Sequence, residues 1–220
     1  MTAVRTPVDR PSETAVPDDV SLITDEATLR ALHPTPLSRA TNKVLPAIDD
    51  IARAIIARSR FCLLATQGPN GADVTPRGDP AGFVKVLDVR TLLIPDRVGN
   101  NRLDSMVNIL HNPRVGLLFL VPGMGETLRI NGRAQLTDDA RLLASCAVRE
   151  RVPKVGVLVT VDEVFVHCSK ALVRAKLWDA GEHIDRETLP SYSHMLMVHA
   201  DNPPDVNAEQ DRIMAERGLY

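Results

Sequence analysis

The chain has 220 residues, of which 44% are hydrophobic and 25% are charged, so it can bury one sizeable core with tails at its ends. Its 26 basic and 28 acidic residues give a net charge of −2, which offers no general attraction for nucleic acid or an anionic membrane surface. No apolar run approaches the roughly 20 residues that span a bilayer, and the N-terminal residues lack the basic-then-apolar order of a signal peptide. We therefore expect neither a nucleic-acid nor a membrane partner.

Three cysteines, Cys62, Cys146 and Cys168, occur along the chain. An odd number without zinc-type spacing argues against a disulfide framework and against a structural metal site. The cysteines are therefore expected to be free thiols in a reducing cytoplasm, and no metal site is predicted.

The N-terminal part of the chain divides into an arm and two helices. Residues 1–20 are rich in proline and poor in large apolar side chains, which predicts a disordered or draped arm. Thr24 is predicted to cap a short helix that ends before Pro34. A clearer helix follows from Pro46, because its isoleucines recur at helical spacing. These are Ile48, Ile51, Ile55 and Ile56.

Short apolar runs separated by turn-forming residues then predict a β-meander. No GxGxxG motif follows any of these runs, and few of them are joined by a helix, which disfavours a doubly wound parallel sheet. The predicted fold is α+β, with six or seven mainly antiparallel strands in a barrel and helices at its periphery. The strand segments are 61–66, 74–76, 83–87, 91–94, 115–121, 126–136, 155–161 and 164–166, the last two interrupted by Asp162 and Glu163.

Four helices are predicted between and after the strands. The central one has Asn101 as N-cap, Arg102 at its first position and Asp104 as capping-box partner. Its apolar side chains Leu103, Val107 and Leu110 are expected to share the buried face. The others span 138–147, after a Thr137 cap, and 170–178, after Ser169. Beyond Gly181 the chain is expected to be irregular until a helix at 207–217.

The order of these elements, with "VTPRGDP" from Val74 and "NPRVGLLF" from Asn112, resembles the FMN-binding split β-barrel flavoproteins related to pyridoxamine 5′-phosphate oxidase. The resemblance covers roughly residues 55–178. It implies a split β-barrel domain at 21–180 that includes the N-terminal helices, followed by a C-terminal segment at 181–220. It also implies a homodimer with FMN in a cleft between the subunits.

Two groups of candidate cofactor ligands come from this resemblance. The "VTPR" strand of the family contacts the ribityl chain and phosphate, which implicates Thr75, Arg77 and Gly78. Thr127 opens the strand whose family counterpart borders the flavin ring, and it matches better than Arg129.

Asn101 and Arg102 are the candidate phosphate ligands. A phosphate dianion is favoured by the free N–H groups of a helix N-terminus together with a guanidinium that binds two oxygens. The basic residue that the family has at this helix start supports Arg102, although a solvated first-turn arginine remains the alternative.

Lys170, Arg174 and Trp178 follow the sequence His167-Cys168-Ser169, which looks like the "HC-x-K" segment of relatives. They are four residues apart, so one helical face could present two cations and an indole to an anionic cofactor or substrate. A surface stripe with a partly buried tryptophan is the alternative. His167 and Cys168 are adjacent on a strand and point to opposite faces, so they do not form a metal pair.

The chain has no GxSxG or HExxH motif and no Cys–His pair with a convincing third partner, which favours cofactor chemistry over nucleophilic catalysis. The primary hypothesis is an FMN-dependent oxidoreductase of a small-molecule substrate. Pyridoxamine phosphate is a poor candidate, because the chain lacks a convincing counterpart of that enzyme's C-terminal Arg-x-His pattern.

Two alternatives stay open. One is an F420-dependent reductase, in which basic side chains hold the polyglutamate tail. The other is a carrier of flavin or haem without enzymatic activity, with His111 or His167 as axial ligand. The basic candidates for the F420 tail are Arg129, Arg133, Lys170 and Arg174.

Overall fold

The computed structural model describes residues 19–200, and the chain divides into two compact units, Met1–Val44 and Leu45–Tyr220. Residues 1–18 of the predicted arm and the helix predicted at 207–217 lie outside the described residues. In the first unit, helices α1 and α2 span Glu26–Ala31 and Ser38–Thr41. The cap of α1 is Asp25 rather than Thr24, since an Asp25 carboxylate oxygen accepts from the Thr28 amide at 2.8 Å.

The second unit is built on one antiparallel sheet, which confirms the predicted α+β class. Its seven strands lie in the order β2-β1-β5-β6-β7-β4-β3, so that β2 is an edge strand. The strands are β1 Phe61–Gly68, β2 Gly71–Gly78, β3 Lys85–Val86, β4 Thr91–Pro95, β5 Arg114–Leu120, β6 Thr127–Thr137 and β7 Gly156–His167.

Helices flank this sheet and follow it. They are α3 Asp50–Arg58, α4 Asp104–His111, α5 Ala140–Ala144, α6 Lys170–Arg174 and α7 Tyr192–Ala200, with 3-10 turns at Ala180–Glu182 and Arg186–Thr188. Asp49 caps α3 by accepting from the Ala52 amide at 2.8 Å. Ile55 and Ile56 are buried as predicted, but Ile51 is on the outer side of the helix and 63% exposed. None of the described helices has both the length and the hydropathy needed to cross a bilayer.

The core lies on the inner face of the sheet, because side chains alternate between the two faces of a strand. Fully buried members include Leu64 of β1, Phe119 of β5, Ile130 of β6 and Val159 of β7. The neighbouring residues of these strands point outward, and several of them are also apolar.

Strand β7 runs through the break that the sequence predicted at Asp162 and Glu163. The register shifts there, since Asn131 pairs with Glu163 while Gly132 pairs with Val161, so Asp162 is the extra residue of a β-bulge. A Cβ on Gly132 would lie 2.2 Å from the Thr160 carbonyl oxygen, so this position needs glycine.

Helix α4 begins two residues later than predicted. Asn101 and Leu103 have φ angles of 58° and 59°, in the left-handed region, so the backbone is not helical before Asp104. Leu103 is therefore the N-cap, and the predicted roles of Asn101 as cap and of Arg102 as first helical residue are wrong.

The buried face of α4 is also different from the predicted one. Leu103, Val107 and Leu110 are 50%, 45% and 72% exposed. The residues that face inward are Ser105, Met106, Asn108 and Ile109. Ser105 and Asn108 contact hydroxyl groups of β2 and β1, while Met106 and Ile109 form the apolar part of the inner face.

The segment after β7 also departs from prediction. Helix α6 ends at Arg174, and Lys176 has a φ of 47°, so Lys170, Arg174 and Trp178 do not share one helical face. The Trp178 indole N–H donates to the Met124 carbonyl oxygen at 2.8 Å. Helix α7 occupies part of the region predicted to be irregular.

Candidate functional site

A cleft of about 400 Å³ lies beside the edge strand β2, and three arginines line it. We call it the arginine cleft, after Arg77, Arg97 and Arg102. The segment between β4 and α4 and the first turn of α4 complete its walls. Its other polar lining residues are Asp73, Thr75, Asp96, Asn100, Asn101, Asp104 and Ser105.

Strand β2 places three of these side chains in one row. Asp73, Thr75 and Arg77 alternate along the strand, so they share the face that continues the inner face of the sheet. Thr75 is paired with Leu64 and Arg77 with Cys62 of β1, both of which point into the core. The row therefore presents a carboxylate, a hydroxyl and a guanidinium to the cleft in that order.

Arg77 lines the cleft near the end of β2. Its side chain is 21% exposed, and its Nη1 lies 3.6 Å from Asp96 Oδ1. Its Nε is buried and has no hydrogen-bond partner among the described residues. Burial raises the pKa of Asp96, which the nearby Arg77 charge partly offsets. The buried Nε of Arg77 is thus a donor that an anionic ligand in the cleft can satisfy.

Arg97 donates hydrogen bonds to two different parts of the chain. Its Nε donates to the carboxylate of Asp79, whose side chain is 1% exposed, and its Nη2 donates to the Cys146 carbonyl oxygen at 2.8 Å. These contacts fix the start of the segment that leads to α4.

Arg102 lies just before α4 and is 56% exposed. Its Nη2 lies 2.8 Å from Asp104 Oδ2, and its backbone amide donates to Asn100 Oδ1 at 3.1 Å. The N-cap residue Leu103 has an apolar side chain that cannot accept a hydrogen bond. The first amide N–H groups of α4, which have no acceptor within the helix, thus lie at the cleft.

The structure brings together four of the predicted cofactor ligands, Thr75, Arg77, Asn101 and Arg102, in the arginine cleft. Gly78 follows Arg77 at the end of β2 but does not line the cleft. Lys170, Arg174 and Trp178 are exposed and do not line it either.

Thr127 lines a second cavity, of about 420 Å³, on the outer face of β1, β5 and β6. We call it the apolar groove, because most of its lining is aliphatic. Arg129 is on the same face of β6 as Thr127, and both residues line the groove. The guanidinium carbon of Arg129 lies 5.0 Å from the centroid of the Phe165 ring. His167, the ladder partner of Thr127, has a buried Nδ1 without a hydrogen-bond partner in the described part of the chain.

The groove aliphatics are Leu63, Ala65, Val74, Leu117, Leu118, Leu120, Ala171 and Leu172. Across residues 19–200 no three His, Cys, Asp or Glu side chains are grouped so that they could hold a metal ion.

Among the residues that line the cleft, Asp73, Asp96, Arg97 and Ser105 were not predicted from the sequence. The period of two along β2 could have revealed Asp73, since it shares a face with Thr75 and Arg77. Asp96 and Ser105 reach the cleft only through the path of the segment between β4 and α4, which no local pattern indicates.

The fold and the cleft define an α+β protein built on one antiparallel sheet, with a polar, arginine-lined cleft at the sheet edge. The family model described as pyridoxamine 5′-phosphate oxidase matches residues 48–168, which is more than half of the chain. The chain belongs to this family. The matched span contains the whole arginine cleft and most of the lining of the second cavity, whereas Lys170, Arg174 and Trp178 follow it.

Solved structures of similar proteins are distant in sequence. HupZ from Group A Streptococcus is 19% identical, with a TM-score of 0.45 over 56% of this chain and 95% of the HupZ chain. General Stress Protein 26 from Bacillus anthracis is 16% identical, with a TM-score of 0.39 over 52% and 88%. A protein named F420 Reductase is 17% identical, with a TM-score of 0.40 over 55% and 98%. A comparison with curated proteins returned no match.

Proposed function

We propose that the arginine cleft binds FMN through its phosphate and that the protein is an FMN-dependent oxidoreductase acting on a small molecule. Membership of the pyridoxamine 5′-phosphate oxidase family supports the cofactor. The observation that carries the proposal is the buried Nε of Arg77 in the cleft, which has no hydrogen-bond partner within residues 19–200.

The cleft fits a phosphate better than a neutral group. A buried donor without a partner is costly, and a guanidinium recognises phosphate oxygens with charge-assisted hydrogen bonds. The first-turn N–H groups of α4 add partial positive charge from a second direction. Arg77 Nη1 is only loosely held by Asp96, at 3.6 Å, so it can turn to a ligand at little cost.

Arg102 has a secondary role in this proposal. Arg102 is more than half exposed and paired with Asp104. Exposed ion pairs contribute little to stability. Exchanging the Asp104 carboxylate for a phosphate therefore changes the free energy only slightly. Thr75 and Asn101 offer a hydroxyl and an amide for the remaining polar atoms of the ligand.

When bound, FMN supplies hydride or single-electron transfer at its ring. The chain's own residues would bind and orient the cofactor, and Arg97, held by Asp79 and the Cys146 carbonyl, fixes one wall of the cleft. Substrate specificity is left to groups outside the phosphate site.

We also propose that the protein is a homodimer in which a second copy covers the apolar groove. The groove's aliphatic lining on the outer face of the sheet supports this, together with the family resemblance. Apolar patches of this kind on a sheet face are typical of interfaces.

The absorption spectrum of the purified full-length protein, followed by titration with FMN, tests the cofactor. We expect an oxidised-flavin spectrum, or binding of one added FMN per chain. A colourless protein that binds no added FMN would refute the proposal. Binding of F420 but not FMN would establish the deazaflavin alternative, and a haem spectrum the carrier alternative.

Anaerobic mixing of the FMN-loaded protein with NADH and NADPH tests the oxidoreductase activity. We expect one of them to bleach the flavin absorbance and oxygen to restore it. A bound flavin that neither nicotinamide reduces would favour a flavin carrier.

A further inference from the structure

Asp73 carries a second buried polar atom without a partner in the arginine cleft. Its Oδ2 has no hydrogen-bond partner among the residues that the structure describes. It lies on the same face of β2 as Arg77, four residues away, which corresponds to about 14 Å between their Cα atoms in an extended strand. The cleft thus has an unsatisfied acceptor near one end of the row and an unsatisfied donor near the other.

The two hydroxyl residues next to Asp73 on this face of the sheet both contact α4. Thr66, its ladder partner on β1, accepts a hydrogen bond from Asn108 Nδ2 at 3.1 Å. Thr75 Oγ1 lies 3.0 Å from Ser105 Oγ.

The three arginines of the cleft are likewise paired with other carboxylates. Arg77 is paired with Asp96, Arg97 with Asp79 and Arg102 with Asp104. No cation of the cleft is therefore assigned to Asp73.

A carboxylate in this position opposes the binding of a simple anion. It adds negative charge to a cleft that recognises phosphate, and its buried oxygen stays unsatisfied when a small phosphate binds. A ligand with a phosphate at one end and an O–H or N–H donor at a distance satisfies both ends of the row.

We propose that Asp73 is a specificity residue that accepts a hydrogen bond from an O–H or N–H group of the ligand, remote from its phosphate. The cleft then selects an extended phosphate monoester that carries donors and rejects small phosphates. FMN, with its ribityl hydroxyls and ring imide N–H, belongs to this class. The inference rests on the proposed function, because Arg77 must hold the anionic end.

Binding of FMN and of inorganic phosphate to the full-length protein and its Asp73→Ala variant tests the inference. Asp73→Ala removes the acceptor of a hydrogen bond that FMN donates, so the affinity for FMN should fall about 10- to 100-fold. Inorganic phosphate loses no contact and meets less negative charge, so its affinity should stay constant or rise. The two ligands should therefore respond differently, as fluorescence titration and calorimetry would show.

Asp104→Ala is the matched control, since it also removes one negative charge from the cleft but not the unpartnered oxygen. In this variant FMN and phosphate should change in parallel. Asp73→Asn keeps the size of the side chain and should weaken FMN binding less than Asp73→Ala.

The melting temperature of the ligand-free protein gives a readout that needs no ligand. Removal of an unsatisfied buried acceptor should leave it unchanged or raise it. A lower melting temperature in both Asp73 variants, or their failure to fold, would show that Asp73 stabilises the fold and would overturn the inference. Parallel changes for FMN and phosphate in Asp73→Ala would overturn it too, while the proposed function would stand. A wild-type protein that binds no FMN would refute both.

Discussion

Thr75 Oγ1 of β2 lies 3.0 Å from Ser105 Oγ of α4, and this contact joins the two elements that form the arginine cleft. Ser105 is only 2% exposed. A second link, from Asn108 Nδ2 to Thr66 Oγ1, lies one helical turn further on. One polar contact thus joins α4 to β2, the strand that carries Arg77, and a second joins α4 to the neighbouring strand β1.

A double-mutant cycle with Thr75→Val and Ser105→Ala measures this link. Each single change leaves a buried hydroxyl without its partner and should lower the free energy of unfolding by about 1–3 kcal/mol. The double variant should lose less than the sum, with a coupling energy of about 1 kcal/mol from urea denaturation. Strict additivity would mean that the two hydroxyls do not interact in solution.

Gly68 allows α4 to approach β1 closely, which leads to a second prediction. A Cβ on Gly68 would lie 2.0 Å from Asn108 Oδ1, so Gly68→Ala must displace the amide that holds Thr66. We expect a loss of about 1–3 kcal/mol in the free energy of unfolding, together with weaker FMN binding.

Gly116→Ala is the control for this change, because its nearest side-chain neighbours are 3.7 Å away. Equal stabilities of the two variants would contradict the close approach of α4 at Gly68.

Much of the sheet could be predicted from the sequence because its strands alternate in polarity and are bounded by turn residues. The hairpin of β1 and β2 shows this, since the Gly68–Gly71 turn is local and sets the register that pairs Phe61 with Gly78. The row of Thr75 and Arg77 follows from the same alternation.

The orientation of α4 could not be predicted in this way. Apolar periodicity favoured Leu103, Val107 and Leu110 as the buried face, but the helix packs on Thr66 and Thr75, which are distant in sequence. Hydrogen bonds to those hydroxyls select Ser105 and Asn108 instead. The left-handed backbone at Leu103 also could not be predicted, because leucine rarely adopts it, whereas asparagine at position 101 adopts it more readily.

The three cysteines should differ in reactivity. Cys62 and Cys146 are buried, whereas Cys168 is exposed. Burial raises the pKa of Cys62 to about 12, a shift that the Arg77 charge only partly offsets, so its thiol stays protonated at neutral pH.

Ellman's reagent at pH 8 should therefore leave Cys62 and Cys146 unmodified in the native protein and modify three thiols per chain after denaturation. Cys168→Ser should remove any modification that precedes denaturation. Rapid modification of Cys62 in the native protein would contradict its burial.

The proposed dimer predicts an effect of charge in the apolar groove. Val74 is 58% exposed and lines the groove, so Val74→Glu should place a charge in the subunit interface and produce monomers. Val152→Glu, at a residue that is 48% exposed and does not line the groove, should leave the dimer intact. Light scattering distinguishes one chain of 24.1 kDa from two. A wild-type monomer with FMN bound would contradict the proposal.

The central claim is that Arg77 binds the phosphate of FMN, and fluorescence titration of FMN and riboflavin against Arg77→Gln tests it most directly. Loss of a charge-assisted contact from a partly buried site should weaken FMN binding by about 2–4 kcal/mol, or roughly 30- to 1000-fold. Riboflavin has no phosphate, so its weaker binding should barely change. Arg102→Gln should have a smaller effect because Arg102 is more exposed, and Arg133→Gln, paired with Asp162 outside the cleft, should have none. Equal losses for FMN and riboflavin, or no loss for either, would contradict the account.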